Sequence, residues 1–109
     1  MDTQYRAVVK GVGHYLPETI LTNHDLSKLM DTSDEWIRER TGICERRTAD
    51  LKHGTSDLGL FASQEAIKHA GLEPDDIDLI IAATLSPDYF FPGIGVMIQE
   101  KLGINAVPA

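Results

Sequence analysis

A tryptophan and an arginine stand four residues apart in the stretch MDTSDEWIRERTGICERR, residues 30–47. Residues at that spacing on a helix lie one turn apart on the same face, so Trp36 and Arg40 form a pair. Two accounts of the pair are open. In one, Trp36 is a core anchor and Arg40 lies over its ring. In the other, the indole offers a flat face to a purine and the guanidinium grips phosphate in a bidentate fork. The residues alone favour the core account, because most tryptophans are substantially buried.

The remaining chemistry-capable residues are sparse. The chain has a single cysteine, Cys44, so an internal disulfide and a multi-cysteine metal site are excluded and a reducing compartment is suited. Cys44 follows Gly42-Ile43 with no histidine near it in sequence, and reads as a half-buried filler rather than a nucleophile. His14, His24, His53 and His69 lack zinc-ligand spacing, so no metal site is expected and each reads as a surface or loop residue. Gly11-x-Gly13 after an apolar segment lacks the third glycine and the following helix of a dinucleotide fingerprint; the two read as turn glycines.

Composition narrows the class. With 109 residues there is room for one core at most, burying roughly 60% of the surface of the unfolded chain. A formal charge of −7 disfavours a nucleic-acid partner, where affinity comes from Lys and Arg on phosphates. The longest apolar run, Leu79 to Ala83, is too short to span a bilayer, and Met1 to Lys10 lacks the apolar stretch of a signal peptide. No membrane association is expected, and the cytoplasm is the expected compartment.

The elements that must position the pair are legible in outline. Arg6–Val12 reads as a strand. Thr22 or Asn23 caps a short helix running to Met30. Thr32-Ser33-Asp34-Glu35 fits a capping box opening a helix from about Ser33 to Arg40, with Gly42 as its stop. Ile43–Thr48 reads as a strand or extended arm. A helix capped at Thr55-Ser56-Asp57 and ended by Gly71 shows an apolar stripe of Leu58, Phe61, Ala62, Ala66 and Ala70. A turn at Pro74-Asp75-Asp76 leads to Ile77–Thr84, apolar enough for a strand buried on both faces. After the loop Leu85–Gly95 a last helix, about Ile94 to Leu102, ends at Gly103. Alternating strands and helices predict an α/β layer structure. Val107-Pro108-Ala109 looks like the first residues of another strand, so the chain is expected to be the front part of a longer protein.

The sequence resembles the N-terminal region of β-ketoacyl-acyl carrier protein synthase III, a condensing enzyme of the thiolase superfamily, along essentially its whole length. The likeness rests on Gly11-x-Gly13-x-Tyr15-Leu16-Pro17, Thr22-Asn23-x-Asp25-Leu26, Asp31-Thr32-Ser33-Asp34-Glu35-Trp36-Ile37 and Arg40-Thr41-Gly42-Ile43. Ala83-Thr84, Phe91-Pro92 and Gln99-x-x-Leu102-Gly103-Ile104 add to it. The resemblance implies that residues 1–109 are the front part of the first half of a thiolase-like αβαβα layered fold. It implies a protein that condenses an acyl-CoA primer with malonyl-acyl carrier protein, releasing carbon dioxide and starting a fatty-acid chain. The catalytic cysteine, histidine and asparagine are implied to lie beyond Ala109, so no catalytic residue is expected here and the fragment alone should be inactive. Acyl-CoA is then a substrate, and no cofactor is expected.

By the same resemblance Trp36 and Arg40 lie at the mouth of the substrate tunnel, on the adenine and phosphates of CoA, which reverses the preference for a core role. Thr32 matches a position close to the adenine. Phe91 matches a phenylalanine that crosses a homodimer interface to line the partner's acyl pocket. The apolar segment Ile77–Thr84 is expected to lack sheet partners on at least one side. The bulky loop Leu85–Phe90, and Cys44 where a basic residue is common, leave the primer open. Related acyltransferases of secondary metabolism or acyl-chain condensation remain an alternative, as does a non-catalytic binding or assembly module for the fragment itself.

Overall fold

The computed structural model describes residues 4–109, so the first positions of the Met1–Lys10 segment lie outside the described residues. In chain order the elements are β1 (Thr19–Thr22), α1 (Asn23–Ser27), α2 (Asp34–Thr41), β2 (Glu45–Thr48), α3 (Thr55–Ala70), a 3-10 turn (Pro74–Asp76) and α4 (Ile94–Leu102). They fall into two compact units. One is residues 16–53; the other joins the chain up to Tyr15 with residues 54–109.

In the unit of residues 16–53, β1 and β2 pair antiparallel with Thr19 opposite Thr48 and Thr22 opposite Glu45. Thr22 caps α1: its hydroxyl accepts from the Asp25 amide at 3.1 Å, and the Asp25 carboxylate accepts from the Thr22 amide. This reciprocal pairing satisfies donors that a helix start otherwise leaves without partners. It also holds the Asp25 carboxyl down to about 2, through the Thr22 hydroxyl first and the Thr22 amide next. The helix stops at Ser27, short of the expected Met30. The α2 cap differs from expectation as well. Ser33, with φ −140° and ψ 157°, accepts from the Trp36 amide at 3.1 Å, so the helix begins one residue later and Thr32 stands outside it. Gly42 ends α2 at φ 71°, a left-handed turn that glycine adopts without strain.

The larger unit is built on α3 and α4. Ile94, Ile98 and Ile104 are buried, and a Cβ placed on Gly59 of α3 would lie 2.7 Å from Ile98 Cδ1, so the two helices approach at van der Waals distance. The alanine stripe of α3 receives the segment that carries Gly11 and Gly13. A Cβ on Gly11 would come 2.6 Å from the Ala66 carbonyl oxygen, and one on Gly13 would run into the Ala66 amide and the Ala62 carbonyl. Neither glycine has a positive φ. They are glycines of close approach to a helix, which corrects their reading as turn residues. Tyr15 continues the seam against Phe61, ring centroids 4.8 Å apart.

Two expected strands are not ladder strands. Among the described residues the sheet is two-stranded, β1 with β2, and neither Arg6–Val12 nor Ile77–Thr84 belongs to it. Ile80 donates to the Pro108 carbonyl at 3.0 Å, but a strand needs a continuous row of such bonds. Consequently Val8, Val9, Leu79 and Ile81 are exposed, Ile81 at 86%. Among the described residues Ile77–Thr84 joins no ladder, in line with the expectation that it lacks sheet partners on at least one side, whereas its burial on both faces does not hold. The α3 cap also differs: Gly54 is the N-cap, and Asp57 accepts from its amide at 2.9 Å.

Candidate functional site

Trp36 and Arg40 meet on α2. Arg40 lies over Trp36 with its guanidinium carbon 5.1 Å from the ring centroid, a cation–π arrangement. Trp36 is 53% exposed, which removes the core account: the indole keeps about half its surface in water while Ile37, its neighbour, turns inward. Beside the ring is an open cleft of about 370 Å³ lined by Asp31, Thr32, Ser33 and Trp36. Thr32 and Trp36 thus line one cleft, and Arg40 lies over the same indole. Thr32 is available to the cleft because Ser33, not Thr32, commits its hydroxyl to the helix cap.

Charge is sorted along the helix. Asp34 and Glu35 occupy the first turn of α2, and Arg38 and Arg40 the last, at the ends the helix dipole favours; Glu39 is the exception, an acid in the last turn. Arg38 is committed to Asp34, Nε to carboxylate at 2.9 Å. Arg40 is not: among the described residues no carboxylate lies within ion-pair distance of it. An anion approaching this face meets one uncompensated guanidinium, held against an aromatic plane.

What fixes this helix is a side chain that no local pattern singles out. Asn23 is 1% exposed. Its Nδ2 donates to Asp34 Oδ1 at 2.8 Å and to the Ile43 carbonyl at 2.7 Å, and its Oδ1 accepts from Arg46 Nη2 at 2.9 Å. One amide thus grips the residue that follows the α2 cap, the chain just past the α2 stop, and β2. The Asn23 amide and then the Arg38 guanidinium hold the Asp34 carboxyl below the usual carboxylate range. In sequence Asn23 is legible only as an alternative cap for α1. The groups it bonds lie 11, 20 and 23 residues away, beyond the reach of local pattern.

Phe91 belongs to the other unit, on the loop between the 3-10 turn and α4. It is 89% exposed, and Phe90 and Tyr89 beside it are exposed too. Asp88 anchors this loop to α3, accepting from the Ser56 amide at 2.7 Å and the Ser56 hydroxyl at 2.6 Å. Burial pushes the Asp88 carboxyl up, but the bonds from Ser56 outweigh it and leave the group lowered. Lys101 of α4 closes the network, donating to the Ser56 hydroxyl at 2.8 Å and to Asp57. Cys44 is exposed rather than half-buried. The four histidines are all exposed or half-buried, and among the described residues no three metal-ligating side chains cluster.

Comparison with known proteins identifies the class this architecture comes from. No family model matches the chain. The fold is that of thiolase-like condensing enzymes: the structure superposes on 3-oxoacyl-[acyl-carrier-protein] synthase III from Aquifex aeolicus with a TM-score of 0.83 and 46% identity, covering 91% of this chain and 32% of that one. It superposes on the priming β-ketosynthase of the R1128 polyketide pathway with a TM-score of 0.81 and 34% identity, covering 93% and 31%. In sequence the chain is 56% identical over 101 residues to the β-ketoacyl-[acyl-carrier-protein] synthase III of Geobacillus kaustophilus, covering 92% of this chain and 33% of the relative. Over nearly all of its own length the chain is therefore related to β-ketoacyl-[acyl-carrier-protein] synthase III, and it spans about one third of the length of those relatives.

Proposed function

We propose that these residues are the CoA-binding front of a protein that condenses an acyl-CoA primer with malonyl-acyl carrier protein, releasing carbon dioxide and starting a fatty-acid chain. The observation that carries the reading is the exposed Trp36 ring with Arg40 stacked on it and, among the described residues, no carboxylate paired to that arginine. Adenine stacks on the indole, Arg40 takes the nucleotide phosphates as a fork, and Thr32 contacts the base from the cleft. The binding is complementary in both shape and sign: a π-face for the base, a cation for the phosphates. No catalytic group is assigned within the chain. Cys44, whose thiol has the Gly42 carbonyl 3.8 Å away as its polar neighbour, has no base beside it among the described residues to activate it.

Phe91 is our candidate for a residue lining the acyl pocket of a partner subunit in a homodimer; its 89% exposure leaves it free for such a contact. The cytoplasm is the proposed compartment. The test is a condensation assay of the full protein with acyl-CoA and malonyl-acyl carrier protein, in which Trp36→Ala raises KM for acyl-CoA by the equivalent of about 1–3 kcal/mol. An unchanged KM in a folded variant would remove the CoA role of Trp36.

A second reading has two observations in its favour. The likeness to a polyketide-priming β-ketosynthase is nearly as close in shape, and the loop Leu85–Phe90 is bulky. Priming of secondary metabolism would show as a preference for an acyl primer that fatty-acid initiation does not use, measured over a series of acyl-CoAs.

A further inference from the structure

We infer that Asn23 is a positioning residue for nucleotide binding: by joining Asp34, Ile43 and Arg46 it sets the placement of α2 and so the Trp36–Arg40 face. The inference rests on the reading of that face as a CoA site. Three features of the unit carry it. Apolar packing holds α2 weakly, since Ile37 is its one buried residue, and five of its eight side chains (Asp34, Glu35, Arg38, Glu39 and Arg40) are acidic or basic. Asn23 is its opposite, 1% exposed with every polar atom of its side chain bonded. And its bonds land at both ends of α2: on Asp34, directly after the Ser33 cap that borders the cleft, and on Ile43, directly after the Gly42 stop two residues past Arg40. A helix tied at both ends by one side chain cannot shift along or about its axis without breaking a hydrogen bond of Asn23, which is costly because the freed Asn23 amide stays out of water. The backbone adds a third tie, Asn23 N to the Cys44 carbonyl at 3.2 Å.

Trp36 is the one tryptophan of the sequence, so its fluorescence reports on this face directly. Titrating the 109-residue chain with coenzyme A should give saturable quenching. Asn23→Ala should raise Kd roughly tenfold, the effect of losing one buried hydrogen-bonded group, with the helix content by circular dichroism retained. Asp34→Ala, which removes only the α2 end of the tie at a half-exposed side chain, should raise Kd roughly threefold, and the double variant should be no weaker than Asn23→Ala alone. Arg38→Ala removes the salt bridge but not the tie and should leave Kd unchanged. If Asn23→Ala does not fold, Asp34→Ala decides by itself. Quenching by the parent chain together with unchanged Kd in both folded variants overturns the role of Asn23. Absence of quenching in the parent chain instead overturns the CoA reading on which it rests.

Discussion

Among the described residues Asn23 and Ser56 are the two side chains most fully withdrawn from water, at 1% and 0% exposure, and both are polar. Each ties the start of a helix to a distant segment. The units around them differ. Ser56 lies in the first turn of α3, whose contact with α4 buries Ile94 and Ile98, with Ile104 just past it; its network with Asp88 and Lys101 adds to an apolar core that already exists. Asn23 sits in a unit where Ile37 is the single buried apolar residue, so hydrogen bonds carry what packing carries elsewhere. The difference suits what each unit presents. A helix held from behind by one amide can leave its Trp36–Arg40 face open to water, whereas α3 offers its alanine face to the close approach of Gly11 and Gly13.

The contrast can be broken where it is largest. Ile98→Ala, in the apolar contact of α4 with α3, should destabilise the larger unit by about 2–5 kcal/mol, read from denaturant unfolding. Hydrogen exchange should show the loss in α3 and α4, with β1 and β2 keeping their protection. Equal loss of protection in both units would erase the contrast between an apolar core and a polar one.

In the other unit the corresponding effect is smaller and polar in origin. Ser33→Ala removes the cap of α2 and should cost about 1 kcal/mol, seen as faster exchange of the Trp36 amide. Thr32→Ala should not change that exchange, because Thr32 is not the cap. The reverse order would restore the capping box that the sequence suggests.

The smallest effect concerns pH. The Asp25 carboxyl is lowered to about 2 from an ordinary value of 3.8, so its folded form binds a proton less readily than the unfolded chain. The stabilisation it gives to α1 is fully present above pH 3.8 and is lost as pH falls through about 2. Thr22 amide exchange followed down that range should accelerate only below the ordinary carboxylate value. An Asp25 titrating at its ordinary value would show that the reciprocal cap is not formed in solution.

How much of the molecule is legible in its sequence follows the range of the forces involved. Helix starts and stops are local, and the glycine stops at Gly42, Gly71 and Gly103 stand where the pattern predicts them, each with a positive φ. The caps at Ser33 and Gly54 lie one residue from the positions that pattern favours, because Ser, Thr and Gly in a row compete for the same role. Strands are not local. Val8, Val9 and the run from Ile77 have the apolar character of strands, but pairing depends on what lies alongside, and no ladder forms there among the described residues. The Trp36–Arg40 pair is legible from spacing, while its exposure is not: composition alone argues for burial. Asn23 and Ser56 are illegible as anchors, since nothing in a short polar side chain announces partners 20 or 32 residues away.

The central claim is that the exposed face of α2 receives a CoA nucleotide. It is tested most directly by nuclear magnetic resonance of the labelled chain titrated with coenzyme A. Saturable shifts of the Trp36 indole N–H, the Arg40 guanidinium and the Thr32 amide are predicted, with the amides of α3 unmoved. Shifts confined to other residues, with the Trp36 indole unchanged at saturating coenzyme A, would contradict it.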